Sequence, residues 1–188
     1  MLFDYQPSIQ THTGRIFRPF ADEWYDIDIR DIAHSLSNLC RFNGHCKQFY
    51  SIAQHSVLVS NLLGDGKEYC DKQCKLLAQW GLLHDAPEAY MGDIPSPIKS
   101  GEHLFLELRM LEAIGQKLGL RKLREIEKKT VLVADKQLLA TEKRDLMEVN
   151  IPWPGLTGIK ALGYTIEPLL SDRAEDLFLK RYSELFGD

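Results

Sequence analysis

The chain has 188 residues, which allows one domain, or one domain with small appendages. With 44% hydrophobic and 27% charged residues it can build a core, which excludes a disordered or fibrous chain. A net charge of −4 excludes the global basic field that nucleic-acid polymers attract, so a small anionic ligand would need a local counter-charge, and a metal ion is one way to supply it.

Residues 1–30 read as irregular. Thr13-Gly14 predicts a turn between short extended pieces, and Ile27 and Ile29 alternate with Asp26 and Asp28. A short hairpin or an extended lead-in fits both signals. From Ile29 the period becomes helical, with Ile32, Leu36, Leu39 and Cys40 on one stripe and Asn43-Gly44 as the stop. Ser51-Ile52-Ala53-Gln54 fits a capping box that opens a second helix, whose stripe is Ile52, His55, Val59, Leu62 and Leu63. Gly64-Asp65-Gly66 ends it. Asp71 is a candidate cap for a third helix carrying Leu76, Leu77, Trp80, Leu83 and His84.

Gly92 to Pro97 reads as a loop, because Pro95 and Pro97 forbid regular helix. Further helices are predicted from Leu104 to Leu118, ending at Gly119, and from about Leu123 to Leu146. The stretch from Ile151 to Tyr164 is rich in Pro and Gly and reads as a long connection. A final helix runs from Pro168 to Phe186, and its Phe178, Tyr182 and Phe186 would serve either an interface between copies or the chain's own core. The fold class is all-α, a single helical bundle with a core at about 29–146 and a short irregular or hairpin N-terminal segment.

Cys40, Cys46, Cys70 and Cys74 contain no Cys-x-x-Cys pair, and reduced thiols are the expectation. No apolar stretch is long enough for a bilayer, and the N-terminus has no signal-peptide pattern, so a cytoplasmic location without membrane contact is expected.

The informative residues are polar groups on apolar stripes. His55 sits three after Ile52 and four before Val59. His84 sits four after Trp80. Asp135 sits three after Leu132 and four before Leu139, where an unpaired charge would need a partner or a metal. Singly, each has a plain structural explanation. Either histidine can be a core residue with its nitrogens satisfied by backbone, and Asp135 can pair with a buried cation. Asp85-Ala86-Pro87-Glu88 is itself a good helix start, with Asp85 as cap and Glu88 closing a box. Together, two imidazoles and two carboxylates from three helices form an N/O donor set suited to Mn, Fe, Co, Ni, Zn or Mg. His84 and Asp85 are adjacent, so both reach one ion only if the helix is cut there, and Pro87 is placed to cut it.

This constellation resembles the HD superfamily of metal-dependent phosphohydrolases. That family's pattern of a His, a His-Asp doublet and a later Asp matches His55, His84-Asp85 and Asp135. The run from His84 through Pro87-Glu88 to Gly92-Asp93-Ile94-Pro95-Ser96-Pro97 is similar to the bacterial 5'-deoxynucleotidase branch, which includes phage dATP triphosphohydrolases. The resemblance covers roughly residues 29–146. It implies that His55, His84, Asp85 and Asp135 hold a divalent ion, that Glu88 orients or deprotonates the attacking water, and that Asp93 acts near the sugar or a leaving oxygen. It places Arg41, Phe42, Asp93 and Pro97 at the substrate. The branch often has Trp where this chain has Phe42. Arg41 alone would also suit a helix C-terminus on dipole grounds, and Phe42 alone would suit a core. Lys99 reads as a solvated surface lysine, His34 as exposed and His45 as a loop histidine, while His12 and His103 carry no signal.

The resemblance implies hydrolysis of a deoxynucleoside 5'-monophosphate. The alternatives are triphosphate release from a dNTP, a phosphodiesterase on a cyclic or dinucleotide substrate, and a non-catalytic nucleotide-binding module. The expected partner is a nucleotide rather than duplex nucleic acid, and the family commonly forms homodimers.

Overall fold

The first helix begins where the sequence changes period. In the computed structural model, which describes residues 7–21, 24, 26–64 and 72–187, α1 spans Ile29–Asn38. It is preceded by a hairpin of two-residue strands, β1 (Ile9–Gln10) and β2 (Ile16–Phe17), paired antiparallel with Ile9 opposite Phe17. Gly14, at φ 84°, supplies the positive φ that the turn needs. Ile27 and Ile29 join no strand among the described residues. The aspartate between them, Asp28, caps α1 by accepting from the Arg30 backbone N–H.

Six further helices follow among the described residues. They are α2 (Ile52–Gly64), α3 (Lys72–Leu83), the single turn α4 (Glu88–Met91), α5 (Gly101–Lys117), α6 (Glu125–Leu146) and α7 (Ser171–Phe186). The expected all-α architecture with an N-terminal hairpin is the one observed. Asp65 and Gly66, expected to stop α2, Asp71, expected to cap α3, and Cys70, expected to be a reduced thiol, lie outside the described residues.

Two local expectations are corrected. α1 stops at Asn38 rather than at Asn43-Gly44, because the backbone turns extended and Cys40 bridges to Ser51. Asn43-Gly44 instead closes a 3-10 turn over Arg41–Gly44. Ser51 does cap α2, its Oγ accepting from the Gln54 N–H at 3.1 Å, but the Gln54 side chain does not close the box. It reaches across to the segment before α7, donating to the Glu167 carbonyl at 2.8 Å and accepting from the Leu169 N–H at 2.9 Å.

α2 is the central element and packs against α1, α3, α6 and α7. One face meets a cluster containing Ile32, Leu36, Leu82 and Phe178, and the other meets Leu77, Trp80 and Leu138. Phe178 is fully buried, while Tyr182 and Phe186 stack at 4.4 Å against the same core, so α7 spends its aromatic face on its own domain. No helix of the described residues is long and apolar enough to cross a membrane.

The approach of α5 to α3 is set by Gly115. A Cβ there would lie 2.3 Å from the Trp80 ring, whose Nε1 donates to the Arg121 carbonyl at 3.1 Å. Replacing a helical Gly by Ala normally gains about 1 kcal/mol, whereas overpacking a rigid core costs about 1–3 kcal/mol. The second effect should win. Gly115→Ala is expected to lower the unfolding free energy by about 1–2 kcal/mol in urea titration, and a stabilised variant would show that the indole moves freely.

Candidate metal centre

His55 is carried inward by the buried face of α2 and is wholly shielded from solvent. His84 and Asp85 follow the last residue of α3. A series of tight turns over His84 to Pro87 separates α3 from α4, so the helix is cut beside Pro87 as the sequence requires. Asp85 does not use its side chain as a cap. Its Oδ2 lies 3.3 Å from His84 Nε2, 3.6 Å from His55 Nε2 and 3.4 Å from Arg41 Nη1. Asp135, from α6, places Oδ1 3.3 Å from His55 Nε2. Leu132 is exposed, so the stripe that pointed to Asp135 is not the buried face of α6. That face runs through Val131, Ala134, Leu138 and Leu146, and Asp135 stands at its edge.

The two imidazoles define the chemistry. His84 Nδ1 lies 2.8 Å from the Gly81 carbonyl, which only accepts, so Nδ1 carries the proton. His55 Nδ1 lies 2.6 Å from Glu142 Oε1. Burial opposes ionisation of Glu142, but the Arg41 and His55 charges outweigh it and hold the carboxyl below its usual range. It therefore accepts, and His55 Nδ1 also carries a proton. The two remaining nitrogens, each Nε2, then face each other at 3.2 Å with carboxylate oxygens beside them. Two lone pairs and two carboxylates at this spacing are satisfied by a cation. Ligands about 2.0–2.2 Å from a shared ion stand about 3–3.4 Å apart, which matches the 3.2–3.3 Å between His55 and His84, His84 and Asp85, and His55 and Asp135, with His55 and Asp85 slightly wider at 3.6 Å. His55, His84 and Asp85 each place a donor atom within 4.8 Å of the others, a group that could hold a metal ion, and Asp135 adds a fourth donor at its rim.

Glu142 was not singled out in the sequence. It is fully buried and also accepts from Arg41 Nη2 at 3.2 Å. Its signal was present, four residues after Leu138 and four before Leu146 on the buried stripe, and seven after Asp135. It orients one candidate ligand and anchors the cation that faces another, a role typical of carboxylates behind metal-bound histidines.

Without a metal, protons must do the cation's work. Burial and Arg41 both disfavour charge on His55, but Glu142 and Asp135 outweigh them and push its pKa up to about 9. Asp135 is held far below its ordinary range despite its burial, by the hydrogen bond and charge of His55. Glu88, buried on α4, is pushed up to about 9 by desolvation and by Asp85 and Asp93, against the pull of Lys99 and Arg41. Its Oε2 has no hydrogen-bond partner among the described residues. Burial and Asp85 also raise the pKa of Asp93, against Arg41 and Lys99.

The group opens on a cleft of about 630 Å³, lined among others by Arg41, Phe42, Glu88, Asp93, Pro97 and Asp135. All the expected substrate residues reach it. Lys99 corrects its reading as a solvated lysine. Its side chain is only 11% exposed and stands 2.7 Å from Glu107 and 3.6 Å from Glu88. The long connection after α6 contributes Trp153, which meets Phe42 edge-on with ring centroids 6.0 Å apart. Nothing in the pattern around Trp153 marked it, because its partner is more than a hundred residues away. Phe42 and the following Asn43 hold positive φ, 58° and 50°, which is uncommon outside glycine and fixes the Phe42 ring at the cleft. The thiols of Cys40 and Cys46 flank this turn, 3.7 Å apart and free.

The fold and this group define a helical protein in which His55, His84 and Asp85 could hold a metal ion beside a cleft. The chain is 38% identical over 181 residues to the uncharacterized protein YfdR of Escherichia coli (strain K12), across 94% of each chain. It belongs to the YfdR family. It is also 37% identical over 100 residues to an uncharacterized protein of Rhodobacter capsulatus, across half of each. No protein-family model matches it.

Two outcomes are expected. Glu142→Gln keeps a hydrogen bond to His55 but loses the charge, and should weaken metal affinity about 10–100-fold by calorimetric titration; unchanged affinity would show that Glu142 serves the core alone. The pH dependence follows from His55 and Glu88. Both bind protons more tightly folded than unfolded, so in chelator-treated protein the Glu88 contribution is lost from about pH 4.5 upward and the His55 contribution from about pH 6.5 upward, and stability falls most steeply between pH 6.5 and 9. A metal replaces the His55 proton, so the rise in melting temperature on adding metal should be larger near pH 9 than near pH 6.5. A metal effect that shrinks with rising pH would contradict this.

Proposed function

We propose that the protein is an HD-superfamily phosphohydrolase that cleaves a deoxynucleoside 5'-monophosphate into deoxynucleoside and phosphate. The observation that carries this reading is the pair of Nε2 atoms 3.2 Å apart, flanked by Asp85 and Asp135, with the bare Oε2 of Glu88 in the same cleft wall. A divalent ion held by His55, His84, Asp85 and Asp135 would supply Lewis acidity at a phosphate oxygen and acidify a water. The set suits Mn, Co, Ni, Fe, Zn or Mg alike.

The chain's own residues supply the rest. Burial pushes Glu88 up to about 9 in the metal-free protein, but a divalent ion held beside Asp85 would favour its ionised form, and the carboxylate would then orient the water and take its proton as the water's oxygen bonds to phosphorus. The bond from phosphorus to the 5' oxygen breaks, and that oxygen takes up a proton, for which the raised pKa of Asp93 suits its carboxyl. Arg41, Lys99 and Lys136 line the cleft and offset phosphate charge. The Phe42 and Trp153 rings offer the nucleoside an apolar edge.

The test is incubation of the purified protein with Mn²⁺, Co²⁺ or Mg²⁺ and a panel of ribo- and deoxynucleoside mono- and triphosphates, with identification of the phosphorus product. Phosphate from deoxynucleoside monophosphates supports the reading. Triphosphate from a dNTP would move the activity to a triphosphohydrolase, and no turnover with any metal would leave a binding module. In the active case Glu88→Gln should retain the ion and lose turnover about 10²–10⁴-fold, whereas Asp85→Ala should lose both. Full activity in Glu88→Gln would remove the assignment of the base.

A further inference from the structure

Outside the cleft, the described residues contain one other group of converging metal-binding side chains. His12 from the hairpin turn, His34 from α1 and Glu175 from α7 each place a donor atom within 4.8 Å of the others. We propose that these three residues form a second metal site, selective for a Zn²⁺-like ion, that ties the N-terminal hairpin to α1 and α7.

Three observations converge on this site. The first is the donor set. Two imidazoles and one carboxylate suit zinc and its transition-metal neighbours and leave a fourth position for water, whereas Mg²⁺ and Ca²⁺ favour oxygen donors. The second is spacing. The His12 and His34 rings stack with centroids 3.7 Å apart and planes 16° from parallel, and His34 Nδ1 lies 2.9 Å from Glu175 Oε2. Donors about 2.0–2.1 Å from a tetrahedral ion stand about 3.3 Å apart, so the three donors, already within 4.8 Å of one another, close on one ion once the exposed His12 ring turns out of its stack and aims its in-plane lone pair at the site. His12 is exposed, which leaves it free to make that rotation and leaves the site open to an incoming ion.

The third is how the group is held. The hairpin turn is fastened to α1 beside His12, since the Thr13 N–H and Oγ1 donate to the two Asp31 oxygens at 2.6 and 2.9 Å. Ser37 Oγ approaches Glu175 Oε2 at 3.5 Å from the α1 side. The three ligands come from segments up to 163 positions apart, so the site exists only in the folded chain. An ion bound there therefore stabilises the fold by mass action. The site is independent of the cleft and of the activity proposed for it.

The experiment uses the untagged full chain, stripped with chelator and dialysed against micromolar Zn²⁺ near neutral pH, with bound metal measured by elemental analysis. Asp85→Asn removes a carboxylate from the cleft group, and binding that His12→Ala or Glu175→Gln removes in that background belongs to the second site. One ion per chain in Asp85→Asn, lost in Asp85→Asn/His12→Ala and in Asp85→Asn/Glu175→Gln, is the expected result. Zn²⁺ should raise the melting temperature of Asp85→Asn and leave that of Asp85→Asn/His12→Ala unmoved. Circular dichroism checks that each variant is folded, and Glu175→Gln replaces His12→Ala should that variant fail. Equal binding in Asp85→Asn with and without His12, or none in either, overturns the site. A failure of the cleft reading looks different: wild type and Asp85→Asn would then bind the same single ion, removed by His12→Ala.

Discussion

The arrangement on which the site depends is the mutual approach of His55 Nε2 and His84 Nε2, 3.2 Å apart. Each imidazole has its other nitrogen engaged by an acceptor, Glu142 for one and the Gly81 carbonyl for the other. The far protons are thereby fixed, and the near nitrogens are left as lone pairs facing one another and two carboxylates. Such a contact is repulsive unless something positive lies between. Burial of His55 removes water as a remedy, leaving a proton or a metal ion.

The fold answers this constraint from several directions. α2 lies in the middle of the bundle, so a ligand on its inner face is rigid. The break between α3 and α4 gives adjacent residues His84 and Asp85 a common target, which an uninterrupted helix would deny them. α6 brings two carboxylates seven residues apart: Asp135 for the group itself, and Glu142 behind it. Arg41 then bridges Asp85 and Glu142, so the residue that faces the cleft is also part of the frame that holds the ligands. A change at Arg41 therefore disturbs the cleft wall and the Asp85–Glu142 frame together.

Much of this was legible in the chain. The helical periods placed the helices of the described residues nearly where they stand, and polar residues on apolar stripes singled out His55 and His84. Asp135 was found from a stripe that includes the exposed Leu132, so it stands beside His55 although the pattern that pointed to it is not the buried face of α6. Pro87 announced the helix break. What stayed hidden depends on tertiary placement. Lys99 is indistinguishable in sequence from any loop lysine until Glu88 and Glu107 close around it. Trp153 sits in an irregular connection without periodicity, and His12 acquires meaning only when the hairpin folds back onto α1. Glu142 was readable from its register, but a glutamate late in a charged helix also suits a solvated face.

The space between the two Nε2 atoms is the proposed metal site. The direct measurement is anomalous diffraction from a crystal of the protein grown with Mn²⁺ or Zn²⁺, recorded on both sides of the metal's absorption edge. An anomalous peak is expected within bonding distance of His55 Nε2, His84 Nε2 and the Asp85 and Asp135 carboxylates. At saturating metal, the absence of a peak there, with the two imidazoles still 3.2 Å apart and bridged by hydrogen bonds alone, would contradict it.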